Sequence, residues 1–232
     1  MRNAPLLIAA ALLTSIAPAI AATRNVTVTD FDRIRVEGPY QVSLSTSRAP
    51  FARVEGSSVA LDSVVVEVQG RTLVIRPNRG AWGGYPGRPV GLVSVTAGTH
   101  DLTDATVAGT GSLAIDRVKG LSFNAVAQGA GSLSIADVRA DKIAVALVGA
   151  SSATLGGKVL ALNAVLRGSS LLDASALQAK DAVLGLEGAG EIRASASNTA
   201  TISANGPGRI SLSGRPACAA KGNPTAVITG CR

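Results

Sequence analysis

The sequence predicts an all-β protein: a right-handed parallel β-helix with coils of about 20 residues. Three observations carry this reading. First, small-residue triplets recur between Leu102 and Gly214: Gly109-Thr110-Gly111, Gly129-Ala130-Gly131, Gly149-Ala150-Ser151, Gly168-Ser169-Ser170, Gly188-Ala189-Gly190 and Gly206-Pro207-Gly208. Their leading glycines follow one another at a nearly constant step of about 20 residues, the mark of stacked structural units. The step is slightly shorter from Gly149 to Gly168 and from Gly188 to Gly206. Second, apolar residues alternate on both sides of each triplet. Positions two, four and six before the leading glycine are apolar in 17 of 18 cases, and positions four and six after it in all 12. Period two on both sides of a turn is the pattern of short strands with one buried face. Third, the 232 residues are 47% hydrophobic but only 3% aromatic, with 26 glycines. A thin core filled by files of aliphatic side chains explains that imbalance.

One coil of this length has a perimeter of about 65 Å at about 3.3 Å per residue, and the next coil stacks about 4.8 Å above it. Equivalent residues therefore form files, and the small turn residues stack as well. Parallel crossovers favour the right hand, and the six-residue period of a left-handed β-helix is absent.

The chain is expected to open with a secretory signal over residues 1–22. Arg2 supplies the positive end, Leu6 to Ile16 the apolar run, and Ala19-Ile20-Ala21 a small-x-small cleavage site. No Cys follows that site, so a lipoprotein is not expected, and no later apolar run reaches membrane-spanning length without a charge or glycine turn. The expected location is periplasmic or secreted. Residues 23–77 read as β-rich capping coils, with Phe31, Ile34, Val36, Val42 and Leu44 around Gly38, and Phe51, Val54, Val59 and Leu61 around Gly56. Val64–Val68 and Leu73–Ile75 add two strands joined at Gly70-Arg71. Residues 78–91 are a Gly/Pro-rich loop, residues 92–214 the regular repeat, and residues 215–232 a C-terminal cap closed by a disulfide between Cys218 and Cys231. That bond constrains a loop of about 14 residues by about 3 kcal/mol.

Several motifs resemble one family. Phe31-Asp32-Arg33-Ile34-Arg35-Val36-Glu37-Gly38, the strand Leu73-Val74-Ile75-Arg76-Pro77 and the recurring Gly-Ala-Gly-Ser-Leu-x-Ile turn look like the head GIN domain of putative auto-transporter adhesins. The resemblance covers about Phe31 to Gly214. It implies a β-helical fold and a place in the bacterial envelope, and it supplies no catalytic motif.

Candidate sites follow from the files. Lys119, Arg139 and Lys158 each lie ten residues before a leading glycine, on three successive coils. They form either a solvated corner or a basic stripe for a polyanion, with Asp116, Asp137 and Asp141 nearby as partial neutralisers. The loop holds Trp82 and Tyr85 with Arg79 and Arg88, a set that can stack on sugars or cover anions; the plainer reading is a linker. Val126, Ala146, Val148, Val165 and Val183 should point outward, and strands apolar on both faces are usually covered on both. A second subunit, the N-terminal strands or a ligand is the expected cover, against scattered exposed valines.

Catalysis has thin support. His100 is the single histidine and has no partner for a metal, and no nucleophile-elbow motif is present. Asp101, Asp141 and Asp181 are expected near one corner file, about 10 Å apart, at the edge of inverting-glycosidase spacing. No metal, cofactor or nucleic acid is expected. Without Arg2 the chain has 21 basic and 15 acidic residues, a net +6. That balance suits acidic envelope glycans or lipopolysaccharide, and equally serves simple solubility. The expected function is a non-enzymatic adhesion or envelope-scaffold module; the alternatives are a carbohydrate-active enzyme on the same fold and a structural periplasmic protein.

Overall fold

The computed structural model describes residues 22–78, 80, 91–222 and 225–232. Residues 1–21 of the expected signal segment and the loop residues Arg79, Trp82, Tyr85 and Arg88 lie outside them. Its elements are β1 (Ala22–Val26), β2 (Arg33–Glu37), β3 (Gln41–Ser45), β4 (Phe51–Gly56), α1 (Ser58–Asp62), β5 (Val64–Gln69), β6 (Thr72–Pro77), β7 (Ser94–Gly98) and β8 (Asp104–Gly109). Then come β9 (Ser112–Gly129), β10 (Ser132–Gly149), β11 (Ser152–Gly168), β12 (Leu171–Glu187), β13 (Glu191–Asn205), β14 (Arg209–Ser213), β15 (Ala217–Gly222) and β16 (Val227–Thr229).

From β9 to β13 the strands pair in parallel, each with the next, in a β-solenoid. Leu113 pairs with Leu133 and Leu133 with Ala153, one coil apart each time. Each coil has three faces, defined here on β9: face A at 112–115, face B at 117–120 and face C at 122–129. The inward residues are buried. Phe123 sits beside Ala125 and Ala127 in one rung, and Ile143 beside Val145 and Leu147 in the next.

The turn between faces C and A is where rungs come closest. The leading glycines from Gly109 to Gly206 all have φ between +93° and +118°. The amide of Ala150 donates to the Gly129 carbonyl at 2.8 Å, and that of Ser152 to Gly131 at 3.0 Å. A Cβ on Gly149 would lie 2.8 Å from the Gly129 oxygen, so both sterics and dihedral require glycine there. In the neighbouring file Ser151 and Ser170 replace glycine. Their buried hydroxyls donate to the carbonyls of Ala127 at 3.2 Å and Gly149 at 3.1 Å, so neither is an unsatisfied polar group.

The short step from Gly149 to Gly168 loses its residue between faces A and B. The register shifts between Ile135 and Val138 against β11, and between Thr154 and Gly156 against β12, so Gly157 takes the place opposite Val138. In the next coil Leu177 restores an aliphatic residue to that file.

The N-terminal part differs from a run of early coils. β2 inserts on face C between β6 and β8, and β3 on face A between β7 and β9. Gly38, with φ +107°, therefore stands below Gly109 although it comes far earlier in the chain, and its amide donates to Ala108 at 3.0 Å. Gly56 is not in this file. The expectation of a degenerate coil around it fails because residues 58–62 form α1, capped by the Ser57 hydroxyl accepting from the Ala60 amide at 3.2 Å. Helical spacing buries Ala60 and Leu61 and exposes Val59. β1 with β4, β4 with β7, and the β5–β6 hairpin at Gly70-Arg71 are antiparallel.

At the other end β15 and β16 form the last described rung. The Cys218–Cys231 disulfide ties β15 to the chain just beyond β16, across a sequence separation of 13 and a Cα distance of 5.6 Å.

Gly149→Ala should cost at least about 2 kcal/mol in chemical denaturation, from a strained dihedral plus the backbone clash. Gly185→Ala should stay within about 0.5 kcal/mol, because its φ is not positive and its nearest neighbour would be 3.6 Å away. Cys231→Ser should cost up to about 3 kcal/mol. Because solenoid rungs lean on their neighbours, hydrogen exchange should show the loss first in β15 and β16, with β10 and β11 still protected.

Candidate functional site

The parallel register decides which outward side chains share a file. On face B, Lys119 pairs with Arg139 and Arg139 with Lys158, so three cations stand on consecutive rungs, about 4.8 Å apart at the backbone. The file continues to Gln178 and Ser195. Arg139 is held at 3.0 Å by Asp137, which also meets Arg117 at 3.4 Å. Asp116 is taken up by the amides of Thr46 at 2.9 Å and Arg117 at 2.6 Å. Among the described residues, no ion pair engages Lys119, Lys158 or Lys180.

Two shallow hollows flank the upper part of this file. One, of about 490 Å³, is bordered by Gly120, Asp137, Arg139, Asp141, Lys158 and Leu160. The other, of about 530 Å³, is bordered by Lys158, Leu160, Gln178, Lys180, Ser195 and Ser197. Lys158 and Leu160 form the ridge between them. Leu160 is 55% exposed and Leu121, on the same corner two coils below, 79%. A larger hollow of about 600 Å³ beside Arg35 and Arg76 is less prepared for a charged ligand. Its cations already have partners, Arg35 with Glu37 at 2.6 Å and Arg76 with Glu67 at 2.9 Å.

Alternation and spacing from the basic file do not single out Lys180 or Leu160. A count from the turn does: both lie eight residues before a leading glycine, as do Leu121 and Asp141. The same count separates the acids expected in one file. Lys142 pairs with Ala161 and Ala161 with Asp181, so Asp181 stands two rungs above Lys142 and not above Asp141. Asp101 belongs to the segment between β7 and β8. The three acids form no stack.

The acids with displaced titration are all displaced downward. Asp181 is lowered by hydrogen bonds from Thr199 and Asn198, Asp173 by those from Ser175, and Glu67 by Arg76 and Gln69. A proton donor at neutral pH needs the opposite displacement. His100 lies exposed, 3.3 Å from Asp30. Among the described residues, no three His, Cys, Asp or Glu side chains converge on a common point.

On face C the outward valines are open. Val126, Ala146 and Val165 form one file, with Thr106 below and Gly185 above. Val148 is 40%, Val165 42% and Val183 51% exposed. Of the three covers expected, the described N-terminal strands are not the one, because they pair at the edge of the same sheet.

No curated protein matches the chain. Among solved structures, a "putative adhesin" from Bacteroides fragilis NCTC 9343 aligns with a TM-score of 0.78 at 18% identity, over 90% of this chain and 96% of that one. A "putative lipid binding protein" from Parabacteroides distasonis ATCC 8503 aligns with a TM-score of 0.71 at 22% identity, over 90% and 95%. At these identities the likeness is one of fold. A family model described as "Putative auto-transporter adhesin, head GIN domain" matches residues 30–216. With most of its length covered by that match, the chain belongs to the head GIN domain family of putative auto-transporter adhesins.

Proposed function

We propose that this protein is an exported, non-enzymatic adhesion module of the cell envelope that holds acidic polymers against face B. The observation that supports it best is the register of Lys119, Arg139 and Lys158 on consecutive rungs. Stacked cations on a rigid sheet concentrate a field that no single lysine produces. A linear polyanion laid along the solenoid axis meets one cation per rung, and little entropy is lost to ordering of the protein because the rungs are fixed. Asp137 lowers the net charge near Arg139 without touching Lys119 or Lys158, so binding rests mainly on those two and on Lys180. Leu160 and Leu121 add apolar contact beside the charges, as suits acidic glycans and the sugar–lipid boundary of lipopolysaccharide. The family and the fold of its neighbours agree with adhesion. Export to the periplasm or beyond accords with the N-terminal signal pattern and the disulfide.

An enzyme acting on such polymers needs two carboxylates facing each other across a groove. Asp137 and Asp141 border the same hollow, but Asp137 is bracketed by Arg117 and Arg139. No observation favours that reading.

The test is a titration of the purified protein with polygalacturonate and with lipopolysaccharide, using neutral dextran as control. Binding is expected to the two anionic polymers only and to weaken steeply with added salt. The double variant Lys119→Glu/Lys158→Glu should lose at least about tenfold in affinity, about 1.4 kcal/mol, with an unchanged melting temperature. Salt-independent binding, or binding untouched by the double reversal, would remove face B from the function. A parallel glycan array with Trp82→Ala reads whether the loop contributes.

A further inference from the structure

We propose that face C is the contact surface of a two-fold homodimer, whose axis runs parallel to the strands across β11. The parallel register fixes the outward pattern of this face. One file reads Ser122, Lys142, Ala161, Asp181, Thr199; the next Asn124, Ala144, Asn163, Val183, Thr201; the third Val126, Ala146, Val165, Gly185, Ser203. A two-fold axis along β11 lays each rung below it on the equivalent rung above it in the partner. Ala144 then meets Val183 of the partner subunit, and Ala146 meets Gly185 of the partner subunit. Val165 meets its own copy at the centre. Small meets large at Ala144 and Val183, and the small Ala146 and Gly185 leave room above and below the central Val165 pair.

The same operation supplies charge complementarity. Lys142 falls opposite Asp181 of the partner subunit, and by symmetry this happens twice. Lys142 has no ion pair among the described residues. Asp181 is held by Thr199 and by Asn198 at 2.8 Å, and its pKa is lowered by those bonds, so it presents a fixed negative charge. At the rim Arg167 meets its own copy and Glu187 meets Val148 of the partner subunit, but Arg167 and Glu187 are already paired within each chain at 3.0 Å. An axis along the solenoid does worse. It lays each rung on its own equivalent reversed, which puts Asp181 against Glu187 of the partner subunit and leaves Lys142 facing Val148 of the partner subunit.

The area suffices. Five rungs of about 4.8 Å by seven residues of about 3.3 Å make a face of about 24 by 23 Å, about 550 Å² per copy. Two copies bury about 1,100 Å², which clears the threshold of about 1,000 Å² for a specific contact. The centre joins Val165 to Asn163, an amide that meets its own copy on the axis and can hydrogen-bond there, and the charges lie at the edge. Face B stays open on both subunits, so the dimer is independent of polyanion binding.

Sedimentation velocity over a concentration series tests this. The wild-type protein is expected to sediment as a dimer. Val165→Glu, Lys142→Glu and Asp181→Lys should each weaken the dimer at least tenfold, with the circular dichroism spectrum unchanged. The double reversal K142E/D181K should restore it, because each new charge again meets its opposite across the axis. A wild-type monomer at sub-millimolar concentration overturns the proposal. So does a dimer indifferent to Val165→Glu, which would use another face. A double reversal that stays monomeric while both single reversals dissociate overturns the β11 axis and with it the proposal.

Discussion

The constraint on which the structure depends is the vertical distance between rungs at the glycine turn. Carbonyls of one rung sit so close under the α-carbons of the next that a methyl group on Gly149 would reach within 2.8 Å of oxygen. The spacing is set elsewhere, by the parallel hydrogen bonds of faces A and C. A corner that could not close to the same height would force those ladders apart. The positive-φ file from Gly38 to Gly206 therefore keeps three faces at one pitch. Where the second small residue becomes serine, as at Ser151, the hydroxyl bonds to the carbonyl it approaches, which keeps the pitch without the loss of a buried polar group.

The regular repeat is legible in the sequence because one side-chain period and one small-residue period run without interruption from Gly109 to Gly208. The same arithmetic places Lys119, Arg139 and Lys158 together, since all three lie the same distance from a positive-φ glycine. It fails for Asp141 and Asp181, whose even sequence spacing hides unequal distances from their turns. The coil from Gly149 to Gly168 lies between them and is one residue short, so equal sequence spacing no longer means equal position. The N-terminal topology is illegible for a different reason. β2 and β3 have the alternation of any coil, but their neighbours on both sides come from β6 to β9, and no local signal records that insertion. Residues 58–62 read as strand because so short a helix carries barely one turn of periodicity.

A solenoid exposes unpaired strand edges at both ends, and each edge is a template for another chain. The two ends here are protected by different means. At the N-terminal end the parallel order breaks into antiparallel pairs, β1 on face A and β5 on face C become the outer strands, and α1 buries Ala60 and Leu61 against the core. A parallel rung cannot add in register to a reversed strand without changing the bond pattern. At the C-terminal end the outer strands are short, and the disulfide ties β15 to the chain beyond β16. Growth along the axis is thus discouraged at both ends.

Among the described residues of the coils, the interior is filled, and the outward positions of three flat faces are what other molecules meet. Alternation frees these positions from any packing duty, so their chemistry can vary by face without disturbing the coil. Face A carries small polar side chains over its first rungs, including Ser132, Ser134, Ser152 and Thr154. Face B gathers lysines beside exposed leucines, and face C gathers valines and alanines framed by Lys142 and Asp181 on one side and by the Arg167–Glu187 pair on the other. A core residue such as Leu133 constrains both rungs that touch it, whereas Lys158 constrains neither. Functional divergence within this fold is therefore expected in the outward files, where a change of charge leaves the architecture standing.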